Sequence, residues 1–206
     1  MTGYAPLSEK NAHHLTTEIE NRLIVSISLP LFHNILGSDY SLDNIARGGA
    51  FINNLICGTM RREQVLNRAT PYHYPYSAVL MSTTFVYGGN DRWFQNIFVG
   101  GASVYTEQSR SGTDYYDGHP NSLAEYIERI KEAGNADLEK FEIMPEPVYI
   151  NNNAYLKGSA AYHREESNLV SSFDPQVKIV VEDGKTVNKF NFFTEQKHRE
   201  KLLHLL

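Results

Sequence analysis

One phrase recurs along this 206-residue chain: an asparagine, two to four mostly apolar residues, then a glycine. It reads Phe32-His33-Asn34-Ile35-Leu36-Gly37, then Ile52-Asn53-Asn54-Leu55-Ile56-Cys57-Gly58. It returns as Phe94-Gln95-Asn96-Ile97-Phe98-Val99-Gly100 and, more weakly, as Asn152-Asn153-Ala154-Tyr155-Leu156-Lys157-Gly158. Asn34, Asn54, Asn96 and Asn153 are spaced near one, two and three multiples of a unit of roughly 20 residues, the range of solenoid repeats. A parallel β-helix meets that pattern. Asn and Gly tolerate the left-handed backbone that a sharp corner needs. Stacked Asn side chains can bond to those above and below, and the apolar residues between Asn and Gly would share one interior. An antiparallel sheet with Asn and Gly turns is the alternative. No tight hairpin signal joins the first three units, which favours the parallel stack.

The chain between and beyond these units has its own punctuation. Ser103–Pro120 is polar and contains Gly and Ser, so it reads as a long loop. Ser122-Leu123-Ala124-Glu125 has capping-box spacing, and Leu123, Tyr126, Ile127 and Ile130 form one apolar face at helical spacing. Gly134-Asn135 supplies a stop. The expected helix spans 121–135 and lays its apolar stripe on the solenoid's flank. Further on, Val177–Val181, the turn Glu182–Lys185 and Val187–Phe193 read as a β-hairpin. The charged segment Glu195–Leu206 reads as helical, and its four leucines need a partner surface. The expected divisions are a divergent segment 1–31, a partial β-helix 32–160 and an appendage with a helical tail 161–206.

Composition narrows the function classes. Nineteen Lys+Arg face 24 Asp+Glu, so no basic stripe points to nucleic acid. No segment approaches the roughly 18 apolar residues of a membrane-spanning helix, and the first residues lack a secretory pattern, so a cytoplasmic, non-membrane protein is expected. The one cysteine, Cys57, lies in an apolar run and reads as a buried small hydrophobe with a raised thiol pKa. His13, His14, His119, His163 and His198 show no metal-ligand spacing, so neither a metal nor another cofactor is expected. Gly88-Gly89-Asn90-Asp91-Arg92 lacks the Lys-Ser/Thr and the helix of a phosphate loop. It reads as a corner carrying an Asp91–Arg92 surface pair.

Tyr40–Asn44 (YSLDN), Gly48–Gly58 (GGAFINNLICG), Asn67–Ser77 (NRATPYHYPYS) and Val86–Gly101 (VYGGNDRWFQNIFVGG) together resemble the C-terminal coils of glycoside hydrolase family 120, the β-xylosidases. Gly112–Ile127 and Pro147–Tyr162 continue the resemblance, which covers roughly residues 34 to 190. It implies a mostly β fold, a partial right-handed parallel β-helix with an inserted α-helix and a small C-terminal β appendage. It also implies retaining hydrolysis of β-linked xylose, for which a nucleophile and an acid/base stand about 5–5.5 Å apart. In the family these are an Asp and a Glu on adjacent coils, upstream of the stretch matching Gly48–Leu55. Where the Glu is expected, this chain has Arg22-Leu23-Ile24-Val25-Ser26-Ile27-Ser28, so the catalytic residues are unknown. Glu18 and Glu20 are the nearby carboxylates, with Glu20 the candidate for a displaced acid/base.

Asn67–Pro75 is the candidate sugar site. Two prolines fix an extended course, and Arg68, Tyr72 and His73 could line a pocket for a xylose-containing oligosaccharide. A rigid crossing between coils explains the same residues without a ligand. Three functional readings stand. The first is part of a β-xylosidase-like hydrolase, a fragment inactive alone. The second is a non-catalytic solenoid lobe that binds or supports another chain, with self-association through an open solenoid end and the C-terminal leucines. The third, a calcium-dependent β-elimination, lacks an Asp cluster.

Overall fold

The computed structural model describes residues 23–25, 30–45, 48–62, 70–73, 80–84, 89–101, 109–133, 145–183, 185–191 and 200. The described residues are mostly β, with three parallel stacks of short strands and one α-helix among the named elements. Strand β1 (Leu23–Val25) precedes a pass through β2 (Pro30–Phe32), β3 (Ile35–Leu36) and β4 (Tyr40–Asn44). The next pass is β5 (Ala50–Ile52), β6 (Leu55–Cys57) and β7 (Thr59–Arg62). An excursion forms the antiparallel pair β8 (Thr70–His73) and β9 (Leu80–Thr84). The third pass runs through β10 (Arg92–Phe94) and β11 (Ile97–Val99), and β12 (Ser109–Arg110) follows. After a 3-10 turn at Asp114–Tyr116 and helix α1 (Leu123–Glu132), the stack resumes with β13 (Tyr149–Asn151), β14 (Asn153–Leu156) and β15 (Asn168–Ser171).

Each pass lays its strands beside those of the pass before, in parallel. The three stacks read β2-β5-β10-β13, β3-β6-β11-β14-β15 and β1-β4-β7, with β12 added antiparallel on β7. Register follows the repeated phrase. Leu31, Phe51, Trp93 and Ile150 align across one stack, and Leu36, Ile56, Phe98 and Tyr155 across the next. These eight residues belong to the main apolar core. Each lies three residues before, or two after, its asparagine, as period-2 strands on both sides of a corner require. Phe51 stacks on Trp93 at 3.8 Å between centroids, and Phe98 on Tyr155 at 5.0 Å. Burying such rings contributes roughly 1.5–3 kcal/mol each.

The asparagines sit above one another and form a continuous ladder. The backbone N–H and Nδ2 of Asn34 both donate to Asn54 Oδ1, at 2.9 and 3.2 Å. Asn54 repeats the arrangement on Asn96 Oδ1, and Asn96 on Asn153 Oδ1, at 2.9–3.0 Å. Asn153, from the weakest version of the phrase, is as fully engaged as the others. The sequence reading of the corner needs one correction. The left-handed residue is the one before each ladder asparagine: His33, Asn53, Gln95 and Asn152, with φ of 56, 57, 57 and 60°. That turn aims the next side chain along the stack, where its amide can reach both neighbours. The corner tolerates His and Gln because it needs only a left-handed residue, whereas the ladder needs Asn.

Two other expectations meet the structure differently. Within the stretch read as a loop, residues 109–120 form an ordered wall. Ser109, Thr113, Tyr116 and His119 are buried there. Thr113 N–H donates to Ala160 O at 2.9 Å, and the Thr113 and Tyr155 hydroxyls meet at 2.6 Å. The helix forms as expected, with Ser122 Oγ accepting from Glu125 N–H at 3.2 Å. Its apolar stripe is not buried: Leu123 is 57% and Ile127 41% exposed. Polar residues anchor it instead, through Arg164 and Arg129 on the Glu125 carboxylate and Arg129 on Gly118 O. The hairpin forms from β16 (Lys178–Glu182) and β17 (Lys185–Lys189). Ile179 of the hairpin occupies the space a side chain at Gly37 would take. Beyond Asn191 the tail lies outside the described residues apart from Glu200.

Candidate functional site

A dense polar cluster lies where the corner before β10 meets the 109–120 wall. Asp91 is fully buried. Its Oδ1 accepts from Gly49 N–H at 2.7 Å. Its Oδ2 accepts from the Tyr116 hydroxyl at 2.5 Å and from Asn44 Nδ2 at 3.1 Å. The Tyr116 oxygen in turn accepts from Trp93 Nε1 at 3.1 Å and Asn44 Nδ2 at 3.2 Å. The expected Asp91–Arg92 surface pair is therefore not formed. Arg92 is exposed and donates to Asn90 O, while Asp91 turns inward. Period-2 alternation sends neighbours to opposite faces, so one of the two had to face in. A Cβ at Gly49 would stand 2.6 Å from the Phe51 ring and 3.3 Å from Asp91 Oδ1, so glycine fits between the two.

Burial pushes the Asp91 carboxyl up to about 6, against the lowering effect of Tyr116, Gly49, Arg62 and Asn44. Beside it, the Arg62 guanidinium lies 5.4 Å from the Tyr116 ring centroid and 2.7 Å from His119 Nε2. His119 Nδ1 lies 2.7 Å from Glu146 O. Arginine can only donate and a carbonyl can only accept, so the ring is neutral with its proton on Nδ1. Burial, then Arg62, holds His119 down to about 4.

Two more buried carboxylates are held in their own settings. Asp43 accepts from the Tyr40 hydroxyl, from Arg61 Nε at 2.8 Å and from Arg61 Nη2 at 3.3 Å. Glu165 ends the asparagine ladder. Its Oε1 accepts from Asn153 N–H and Nδ2, each at 2.9 Å, and its Oε2 from the Tyr155 hydroxyl at 2.6 Å. Burial raises the Glu165 pKa. Asp43, Asp91 and Glu165 thus act as acceptors within packed networks. A hydrolytic pair would need two carboxyls facing one substrate bond.

A separate cleft of about 130 Å³ opens along the glycine corners, lined by Gly58, Gly100, Cys57, Lys157, Asp174 and Val177 among others. Lys157 bridges it to Asp174 at 2.9 Å. Cys57 is partly buried against the second apolar cluster, and burial pushes its thiol up to about 11, in line with the inert reading.

Of the sugar-site candidates, Tyr72 and His73 fall on β8, in register with Ser82 and Leu80 of β9. Pro71 is part of that extended course. Arg68, Glu18 and Glu20 lie outside the described residues. Asp91 and Tyr116 escaped the sequence reading because a Gly-Gly-Asn-Asp-Arg corner and a polar loop both look solvated. Glu165 escaped it because it stands outside the repeated phrase.

No family model matches this sequence, and no curated protein matches it. Among solved structures, the chain matches one described as the complex structure of XylC with xylose. The chain resembles XylC. The identity is 43% over 78% of this chain, with a TM-score of 0.69. The chain spans 25% of the XylC chain's length. At that identity the likeness to XylC goes beyond a shared fold alone.

Proposed function

We propose that this chain forms part of a xylosidase-like glycoside hydrolase of the family 120 kind, built as a right-handed parallel β-helix, and that it handles xylose-containing glycosides. The observation that carries the reading is the 43% identity to XylC, a protein solved with xylose. Repeated passes through three parallel stacks, with the asparagine ladder at one corner, support the β-helix. On this proposal Arg68, Tyr72 and His73 contact the sugar, and the reacting pair is not drawn from Asp43, Asp91 or Glu165. Each of those is committed to structural donors.

The purified chain is therefore expected to bind xylose or xylobiose weakly and to leave nitrophenyl β-xyloside intact. Titration calorimetry or ligand-observed NMR reads the binding, with Arg68→Ala and His73→Ala expected to weaken it. Clear hydrolysis that disappears in Glu20→Gln would overturn the non-catalytic part of the reading. Absence of any xyloside binding would overturn the sugar-contact part. The non-catalytic reading, in which the chain supports another polypeptide, is favoured specifically by the committed state of these three buried carboxylates.

A further inference from the structure

We infer that His119 is an acid-released latch: its protonation breaks the contact with Arg62 and frees residues 114–119 from the stack. The argument is geometric. His119 sits between an obligatory donor, Arg62 Nη1 at 2.7 Å from Nε2, and an obligatory acceptor, Glu146 O at 2.7 Å from Nδ1. A second ring proton can go only on Nε2, where it meets the guanidinium N–H head-on and adds a like charge. The ring is 4% exposed, so water cannot screen that clash without the wall moving.

Among the described residues, the charges that act on the latch are cations. Arg62 approaches from β7, and Arg129 from α1 adds more positive charge. Tyr116 meets the ring edge-on at 5.3 Å and carries its hydroxyl to Asp91. Asp114 and Asp117 lie on the same wall, with Asp117 engaged by His163. Tyr162 donates to the backbone oxygen of His119 at 2.6 Å, and Arg164 is paired with Glu125. Asp91 is a buried carboxyl joined to the latch through Tyr116. Two of its three donors, Gly49 N–H and Asn44 Nδ2, belong to the stack and remain when the wall lifts. The wall stays tied at its start, through Thr113 to Ala160 and Tyr162, and at its end, through Val148 N–H to Pro120 O, so 114–119 opens as a loop between those two anchors.

The protein carries its own reporter. Trp93, the single tryptophan, donates to the Tyr116 hydroxyl, so release of the wall removes that partner and admits water. The experiment follows Trp93 emission, far-ultraviolet circular dichroism and amide exchange on the full chain from pH 7 to about pH 4. The expected result is a red shift below pH 6.5, the ordinary histidine value, while the dichroism holds. Amide exchange across 114–119, corrected for its intrinsic rate, should accelerate by roughly tenfold or more. In wild-type protein the His119 ring, read by NMR, should titrate with the same midpoint as Trp93. His119→Gln keeps an acceptor for Arg62 but gains no proton, and should abolish the response; Asp91→Asn should retain it. An unchanged response in His119→Gln, loss of it in Asp91→Asn, separate midpoints for His119 and Trp93, or no change before global unfolding would each overturn the latch.

Discussion

At the scale of single residues, the asparagine ladder concentrates consequence in a few side-chain amides. Asn96 accepts from the backbone and side chain of Asn54, and donates to Phe51 O and Asn153 Oδ1. Asn96→Ala leaves several buried groups unpaired and is expected to cost about 3–5 kcal/mol, read as a lowered urea midpoint. Asn34→Ala, at the half-exposed end, should cost only about 1 kcal/mol in the same assay. The two buried titratable groups beside Tyr116 act in opposite directions. Asp91 is raised from 3.8 to about 6 in the folded chain, so its contribution to stability is complete below pH 3.8 and is lost as the pH rises through 6. His119 is lowered from 6.5 to about 4, so its contribution is complete above pH 6.5 and is lost as the pH falls through 4. At about 1.4 kcal/mol per pKa unit, each amounts to a few kcal/mol, and the two offset between pH 4 and 6. This pair should therefore add little net slope to wild-type urea midpoints measured across that window. Midpoints should fall on acidification in Asp91→Asn and rise on acidification in His119→Gln.

At the scale of elements, the corners and the helix cap can be separated by substitution. Gly58 and Gly158 both have left-handed φ, 70 and 83°. A Cβ at Gly58 would stand 2.2 Å from Asp39 O, whereas nothing lies within 4 Å of one at Gly158. Gly158→Ala should cost about 1 kcal/mol, the conformational term alone, and Gly58→Ala clearly more, measured by thermal unfolding. Ser122→Ala removes the acceptor for Glu125 N–H and should lower stability by about 1 kcal/mol, while Leu123→Gln on the exposed stripe should change it by less than about 0.5 kcal/mol. What could be read in advance follows the same lines. The stacked asparagines, the capped helix and the hairpin each carry a local chemical signature. The burial of Asp91 by Tyr116 does not, because it joins residues 25 apart in sequence through a wall whose composition is polar. The left-handed corner was misplaced by one residue because Asn53 and Asn152 are themselves asparagines, and only His33 and Gln95 separate the corner from the ladder.

At the scale of the molecule, almost all strand pairing is between passes distant in sequence. Phe51 meets Trp93 and Phe98 meets Tyr155, so each aromatic stack closes a loop of more than one repeat. Such contacts are reached only after long loops close, and refolding from urea is expected in the millisecond-to-second range or slower. Stopped-flow recovery of Trp93 emission measures it. The sugar-contact proposal also belongs here, because Tyr72 and His73 lie on an excursion outside the three stacks, and their substitution should leave the urea midpoint within about 0.5 kcal/mol of wild type while xyloside binding weakens.

The ladder also has a direction. Every amide in it points the same way, from Asn34 towards Glu165. At one end, Asn34 Oδ1 is an acceptor to which none of the described residues donates; at the other, a carboxylate already takes all three of its donors. A zip built this way runs in one sense through the inside of the molecule, and the glutamate acts as its full stop.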